Sequence, residues 1–289
     1  MAVTMSAAEW APLGSVNPSR LSDARQQLHH ALQIIVSAPI SYLPARDDDS
    51  HTNTEWLPGV RALATHAITA SLPLRFALRP DDLTLVALVN GDQSGERFAL
   101  EGETIESGVL WLRATLARHG ADPARLTTKK HYEIPAHDVA TGGTFRSADP
   151  TAFAELARAY HDAWLVCSDV ERSKPGATLP RCWPHHFDLA TLISVPSLGG
   201  GAQRAINVGL SPGDDSYGEP YFYVGPYPYP SVDSLGPLSV GRWHTEGWTG
   251  AVLLTSELGG ADQQARVTAF WQQAVAGCER AFGVPSARQ

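Results

Sequence analysis

The sequence predicts an α+β fold, mainly antiparallel sheet packed with several amphipathic helices. Three observations carry that expectation. Apolar residues recur at helical spacing in four separate stretches, and they alternate with period two in several others. The two kinds of stretch do not follow one another regularly, as a doubly wound parallel sheet would require. With 289 residues, 43% of them hydrophobic and 18% charged, the chain can bury a sizeable core.

Residues 1–20 hold Pro12, Gly14, Asn17 and Pro18 and read as an arm before the first helix. From Leu21 to Ser37, Leu28, Ala31, Leu32, Ile35 and Val36 follow helical spacing; Ser19 or Ser22 is the expected cap and Pro39 the expected stop. The polar stretch from Ala45 to Trp56 reads as a loop. Leu72, Leu74, Phe76 and Leu78 then alternate, Pro80-Asp81-Asp82 turns the chain into residues 83–89, and Asn90-Gly91-Asp92 turns it again before Arg97–Leu100, an antiparallel meander. A helix over Thr104–His119 carries Ile105, Val109, Leu112 and Leu116 on one stripe, with Gly120 as its stop.

His131–Pro135 reads as a short strand or extended linker. The next helix spans 150–172, capped by Asp149 with Pro150 in its first position. Strands follow at 188–195, 204–210, 220–225 and 249–255, with turns at Gly199-Gly200-Gly201 and from Pro226 to Pro237 between them. An amphipathic helix over Ala261–Phe282 closes the pattern. The organisation expected is an arm at 1–20, a single integrated domain at 21–282 with lobes at 21–145 and 146–282, and a tail at 283–289.

Charge and cysteine content narrow the classes of function. Twenty-two basic against 30 acidic residues give a net charge of -8 with no basic block, which argues against a nucleic-acid partner. Cys167, Cys182 and Cys278 are widely spaced with no CxxC, so a disulfide framework and a thiolate zinc knuckle are both disfavoured and a reducing compartment fits. No apolar run reaches the roughly 18 to 20 residues that cross a bilayer, and the beginning lacks the pattern of a secretory leader. The reading is a soluble, cytoplasmic protein with no membrane association, a small-molecule ligand as its partner, and homo-oligomerisation as a further expectation.

Chemistry concentrates in three places. Cys182-Trp183-Pro184-His185-His186-Phe187-Asp188 gathers two imidazoles and a carboxylate; a strand beginning near His186 would put His186 and Asp188 on one face. Together with His137, Glu219 or His244, these residue types suit a divalent metal such as Zn, Fe or Mn, and His186, Asp188 and His137 are the candidate ligands. The second place is Ser211–Pro220, where Asp214, Asp215 and Glu219 are carboxylates for acid–base work; its spacing does not match a calcium loop. It leads into Tyr221 and Tyr223, which with Tyr227 and Tyr229 alternate on an extended chain. The third is His244-Thr245-Glu246, with Trp248 beyond. In an extended segment His244 beside Glu246 resembles a base with an orienting carboxylate. Each cluster has a plain alternative: core histidines satisfied by hydrogen bonds, a solvent-facing acidic loop, and polar residues on an edge strand.

The motifs that would name other chemistries are absent. There is no GxSxG, no GxGxxG that follows a strand and opens a helix, and no GxxxxGK[ST].

The pieces PHHFDLA and SPGDDSYGEPYFYV, with Gln27-Leu28-His29, the stretch Ala159–Arg172 and the Pro-Tyr-Pro segment Tyr227–Pro230, resemble a bacterial family of conserved proteins of unknown function. The resemblance runs from about residue 21 to residue 282. It implies one integrated unit and carries no reaction, cofactor or catalytic residue. Three functions therefore compete. The first is a metal-assisted hydrolase of a small molecule, with Glu219, His244 and Glu246 as its catalytic groups. The second is a non-catalytic protein that binds a small ligand through Tyr221, Tyr223 and Trp248. The third is an oligomeric structural or interaction protein.

Overall fold

The computed structural model describes residues 9–196 and 203–284, and these form an α+β protein with two antiparallel sheets. The turn expected at Gly199-Gly200-Gly201 lies outside the described residues, as do positions 1–8 of the arm and 285–289 of the tail. The chain divides into two compact units. One comprises Ser19–Ala157 and Arg181–Asp188; the other comprises Met1–Pro18, Arg158–Pro180 and Leu189–Gln289.

The unit containing Ser19–Ala157 begins with helix α1 (Leu21–Tyr42), entered through a short 3-10 turn at Pro18–Arg20 rather than through a serine cap. Pro39 does not end the helix. Its missing N–H removes one main-chain bond, but the Ser41 hydroxyl donates to Ser37 O at 2.6 Å and Leu43 N reaches Pro39 O at 3.0 Å, so a last turn closes around it. Leu28, Ala31, Leu32 and Ile35 on α1 are fully buried.

The sheet of this unit is a sequential meander of β1 (Glu55–Leu57), β2 (Ala62–Ala64), β3 (Leu74–Arg79), β4 (Thr84–Val89) and β5 (Asp92–Ala99). The β1–β2 hairpin takes over the end of the expected loop. Buried Trp56 anchors it, and Glu55 is held between Arg75 at 2.8 Å and Arg181 at 2.6 Å. Burial alone would raise the Glu55 pKa; the two guanidiniums hold it below the ordinary value instead.

Helix α2 (Ile105–Arg118) follows the sequence closely, with Thr104 Oγ1 accepting from Ser107 N at 3.1 Å and Gly120 at φ 78° beyond its end. Residues 131–135 form no strand. Helix α3 (Pro150–Ser173) starts as expected, where Asp149 Oδ1 accepts from Ala152 N, and it passes from one unit into the other at Ala157. The short strand β6 (Arg181–Trp183) returns to the first unit through a two-bond bridge between Thr54 and Cys182.

The other unit holds β7 (Asp188–Val195), β8 (Arg204–Ser211), β9 (Tyr221–Tyr227), β10 (Arg242–His244) and β11 (Gly250–Leu254), standing in the order β10-β11-β9-β8-β7 within its antiparallel sheet. The register puts Trp243, Ala251, Leu253, Phe222, Val224, Leu210 and Val208 on one face. Helix α4 (Gln263–Ala281) packs on that face, where a side chain added at Gly277 would meet Trp243 at 3.2 Å. All but Trp243 are essentially solvent-free, and each large apolar side chain there contributes roughly 1.5–3 kcal/mol. Gly209 lets β8 and β7 approach closely, since a Cβ on it would lie 2.5 Å from Leu189 O. Gln263 holds the arm by bonding both the N–H and the C=O of Leu13, at 2.8 and 2.9 Å. The opposite face of the sheet carries Arg242, His244, Val252, Tyr221 and Tyr223, and it positions the candidate site.

Candidate functional site

The segment Pro184–Phe187 is a turn, not the start of a strand. Both His186 N and Phe187 N donate to Trp183 O, at 3.1 and 2.6 Å, and β7 begins only at Asp188. The shared strand face expected for His186 and Asp188 is therefore not formed. Phe187 takes φ 61°, a left-handed conformation rare for a bulky residue; burial and a parallel stack on His29, at 4.8 Å and 5°, hold it there.

Pro184 O accepts from His29 Nε2 at 2.7 Å and from Gln33 Nε2 at 2.8 Å, which places the His29 hydrogen on Nε2. Burial pushes the His29 pKa down to about 4. Gln33 in turn accepts from Tyr132 OH at 2.9 Å. His185 packs 4.2 Å from exposed His186 and 5.6 Å from Tyr132. Its buried Nδ1 has no hydrogen-bond partner, and burial followed by the neighbouring His186 lowers its pKa.

His137, the third candidate ligand, bonds Asp23 through Nε2 at 3.0 Å and accepts from Val139 N through Nδ1 at 3.3 Å, capping a 3-10 turn with its ring. Among the described residues, no three His, Cys, Asp or Glu side chains stand in a group that would hold a metal ion.

In the other unit the geometry is tighter. Asp214 organises its own loop: Oδ1 accepts from Ser216 N at 2.8 Å and Tyr217 N at 3.0 Å, and Oδ2 accepts from Tyr221 OH at 2.6 Å. This folding of the acidic loop brings Tyr217 against Tyr221, with ring centroids 5.1 Å apart, and delivers the Tyr217 hydroxyl to His244 Nδ1 at 2.8 Å.

His244 ends β10, and its Nε2 bonds Glu246 O at 2.7 Å. A carbonyl only accepts, so Nε2 carries the hydrogen, and in the neutral ring Nδ1 accepts from Tyr217. The expected pairing of His244 with the Glu246 carboxylate is replaced by one with the Glu246 main chain, because the chain bends after His244 instead of staying extended. Trp248 stacks on His244 at 4.3 Å, and Gly250 makes room for it: a Cβ at 250 would lie 2.5 Å from the indole. Tyr223 follows Tyr221 on the same face, at 6.3 Å. Tyr227 and Tyr229, further along, are exposed.

Comparison with family models, curated proteins and solved structures found no match.

Of the residues singled out from sequence, the structure thus joins His244, Tyr221, Tyr223 and Trp248 in one aromatic cluster. Glu219 is committed elsewhere, bonding Ser256 N and Ser256 Oγ, each at 2.9 Å. An open depression of about 480 Å³ lies beside the cluster, lined by Ser216, Tyr217, Trp243, His244, Thr245 and Glu246. Ser216, Tyr217 and Thr245 fall inside the two polar clusters read from sequence but carry no assigned role there, and Trp243 lies just outside them. The signal for Tyr217 is the Asp-x-Ser-Tyr turn, which fixes where the phenol goes; Trp243 is held by its indole Nε1, which donates to Gly236 O at 2.8 Å, a partner no sequence period reports.

Proposed function

We propose that the protein binds a small ligand, without covalent chemistry, in the depression beside Tyr217 and His244. The observation that carries this reading is the lining itself: aromatic side chains fixed by hydrogen bonds within the protein, with a few polar groups beside them, in a concavity whose volume falls in the usual range for small-molecule sites. A metal-assisted hydrolase finds less support. His244 has both ring nitrogens engaged, Glu219 ties down the segment at Ser256, and His137 caps a turn.

The three cysteines stand as buried free thiols, in keeping with a cytoplasmic setting, and no helix among the described residues is long and apolar enough to cross a membrane. The net charge of -8 fits a partner other than nucleic acid. Exposed Tyr227 and Tyr229 are the surface on which a homo-oligomer reading would rest.

A ligand-observed NMR screen of a chemically mixed fragment set, run on wild type and on Thr245→Trp, tests the proposal. Thr245 is exposed on the wall of the depression, so the indole fills the space without entering the core. Hits lost in the variant, with its circular dichroism unchanged, are the expected result. No hits with wild type, or hits unaffected by the substitution, would overturn it.

A further inference from the structure

We infer that the ligand class is a small organic cation, an alkyl- or arylammonium ion; this rests on the reading of the depression as a ligand site. The six lining side chains have few groups left to offer. The His244 nitrogens are spent on Tyr217 OH and Glu246 O, the Tyr217 hydroxyl hydrogen is spent on His244 and leaves its oxygen only to accept, and Trp243 Nε1 donates to Gly236 O at 2.8 Å. Among the described residues no side-chain partner meets the Glu246 carboxylate, the Ser216 hydroxyl or the Thr245 hydroxyl. The one uncommitted charge in the lining is therefore negative.

The cation beside the depression does not reverse this. Arg242 is not among the lining residues: it lies over the Tyr217 ring at 5.5 Å, and its Nη1 donates to Glu257 at 2.6 Å. That contact takes up one face of the Tyr217 ring, as the quadrupole of a phenol favours, and leaves its other surfaces to a ligand. An anionic ligand would meet an unpaired carboxylate with only hydroxyls to bond it. A neutral polyol would use the hydroxyls and leave the carboxylate charge without a counterpart. An ammonium ion uses both the carboxylate and the aromatic surface, and the net charge of -8 favours its approach. Because the depression is open and Glu246 exposed, a dissociation constant on the order of millimolar is expected.

The test compares benzyltrimethylammonium, benzyl alcohol, benzoate and sorbitol by NMR titration of the full chain at one ionic strength, with wild type and Glu246→Gln. The account expects saturable binding of the ammonium probe, at least about threefold weaker binding of benzyl alcohol, and none of benzoate, the preference for charge falling about two- to fivefold in Glu246→Gln. Equal binding of benzyl alcohol or sorbitol at the same site would overturn the cation class while leaving the ligand site standing. Ammonium binding unchanged in Glu246→Gln would also overturn it. Failure of all four probes, alongside wild-type hits that Thr245→Trp abolishes, would overturn the cation class alone; failure of that screen as well would remove the site itself.

Discussion

Replacing His29 by Gln should flatten the acid sensitivity of the protein by an amount the structure sets. His29 is 7% exposed, donates to Pro184 O, and has a pKa depressed by burial from 6.5 to about 4. Well above pH 6.5 both the folded and the unfolded imidazole are neutral, and burying the ring uncharged costs no stability. As the pH falls below 6.5 the unfolded chain takes up a proton that the folded site refuses, and stability is lost progressively until the folded pKa is passed near 4. The full span is worth about 3 kcal/mol, and by pH 4.5 about 2.5 kcal/mol of it has gone. A glutamine at 29 can still donate to Pro184 O but does not titrate. Urea midpoints at pH 7 and pH 4.5 for both proteins give the comparison: wild type should lose about 2.5 kcal/mol more than the variant. His30, His66 and His185, whose pKa values are also lowered chiefly by burial, act in the same direction in both proteins and cancel. Equal losses, within about 0.5 kcal/mol, would refute the assignment of a buried neutral imidazole at this position.

Tyr217→Phe removes the bond to His244 Nδ1 and should cost about 0.5–1.5 kcal/mol in urea unfolding, while long-range proton–nitrogen spectra of wild type show His244 protonated on Nε2; the opposite tautomer would contradict the geometry. Glu219→Gln should destabilise by about 1–2 kcal/mol through its Ser256 contacts and leave ligand binding intact, so lost binding with unchanged stability would return Glu219 to the site. Gly209→Ala forces a methyl against Leu189 O and Ala190 and should cost about 1–3 kcal/mol or more, read as a lowered Tm; an unchanged Tm would deny the close strand approach.

Periodicity made α2, α3 and the four longer strands of the second unit legible, because each runs long enough for its period to stand out and the helices carry local signals such as Thr104, Asp149 and Gly120. The β1–β2 hairpin was not legible. Its strands are three residues each, too short to show alternation, and what fixes Glu55 is contributed by Arg75 and Arg181 from distant positions. Pro39 misled because a proline near a helix end still accepts at its own carbonyl, and Leu43 N reaches Pro39 O at 3.0 Å to close one more turn.

At the site, residue types marked the right neighbourhood but not the partners. His244 and Glu246 read as an acid–base pair only while the chain between them is taken as extended, and the bend after His244 turns the carboxylate's place over to a carbonyl. The PHHF turn failed in the same way: main-chain bonds to Trp183 O and the packing of Phe187 on His29 decide its shape, and neither is written in a two-residue period.

Mapping amide chemical shifts of isotopically labelled protein during a benzyltrimethylammonium titration tests the central claim most directly. The account predicts saturable shifts confined to Ser216–Tyr217, Trp243–Glu246 and their sheet neighbours. Shifts scattered over the surface without saturation, or saturable shifts elsewhere with these amides unmoved, would contradict it.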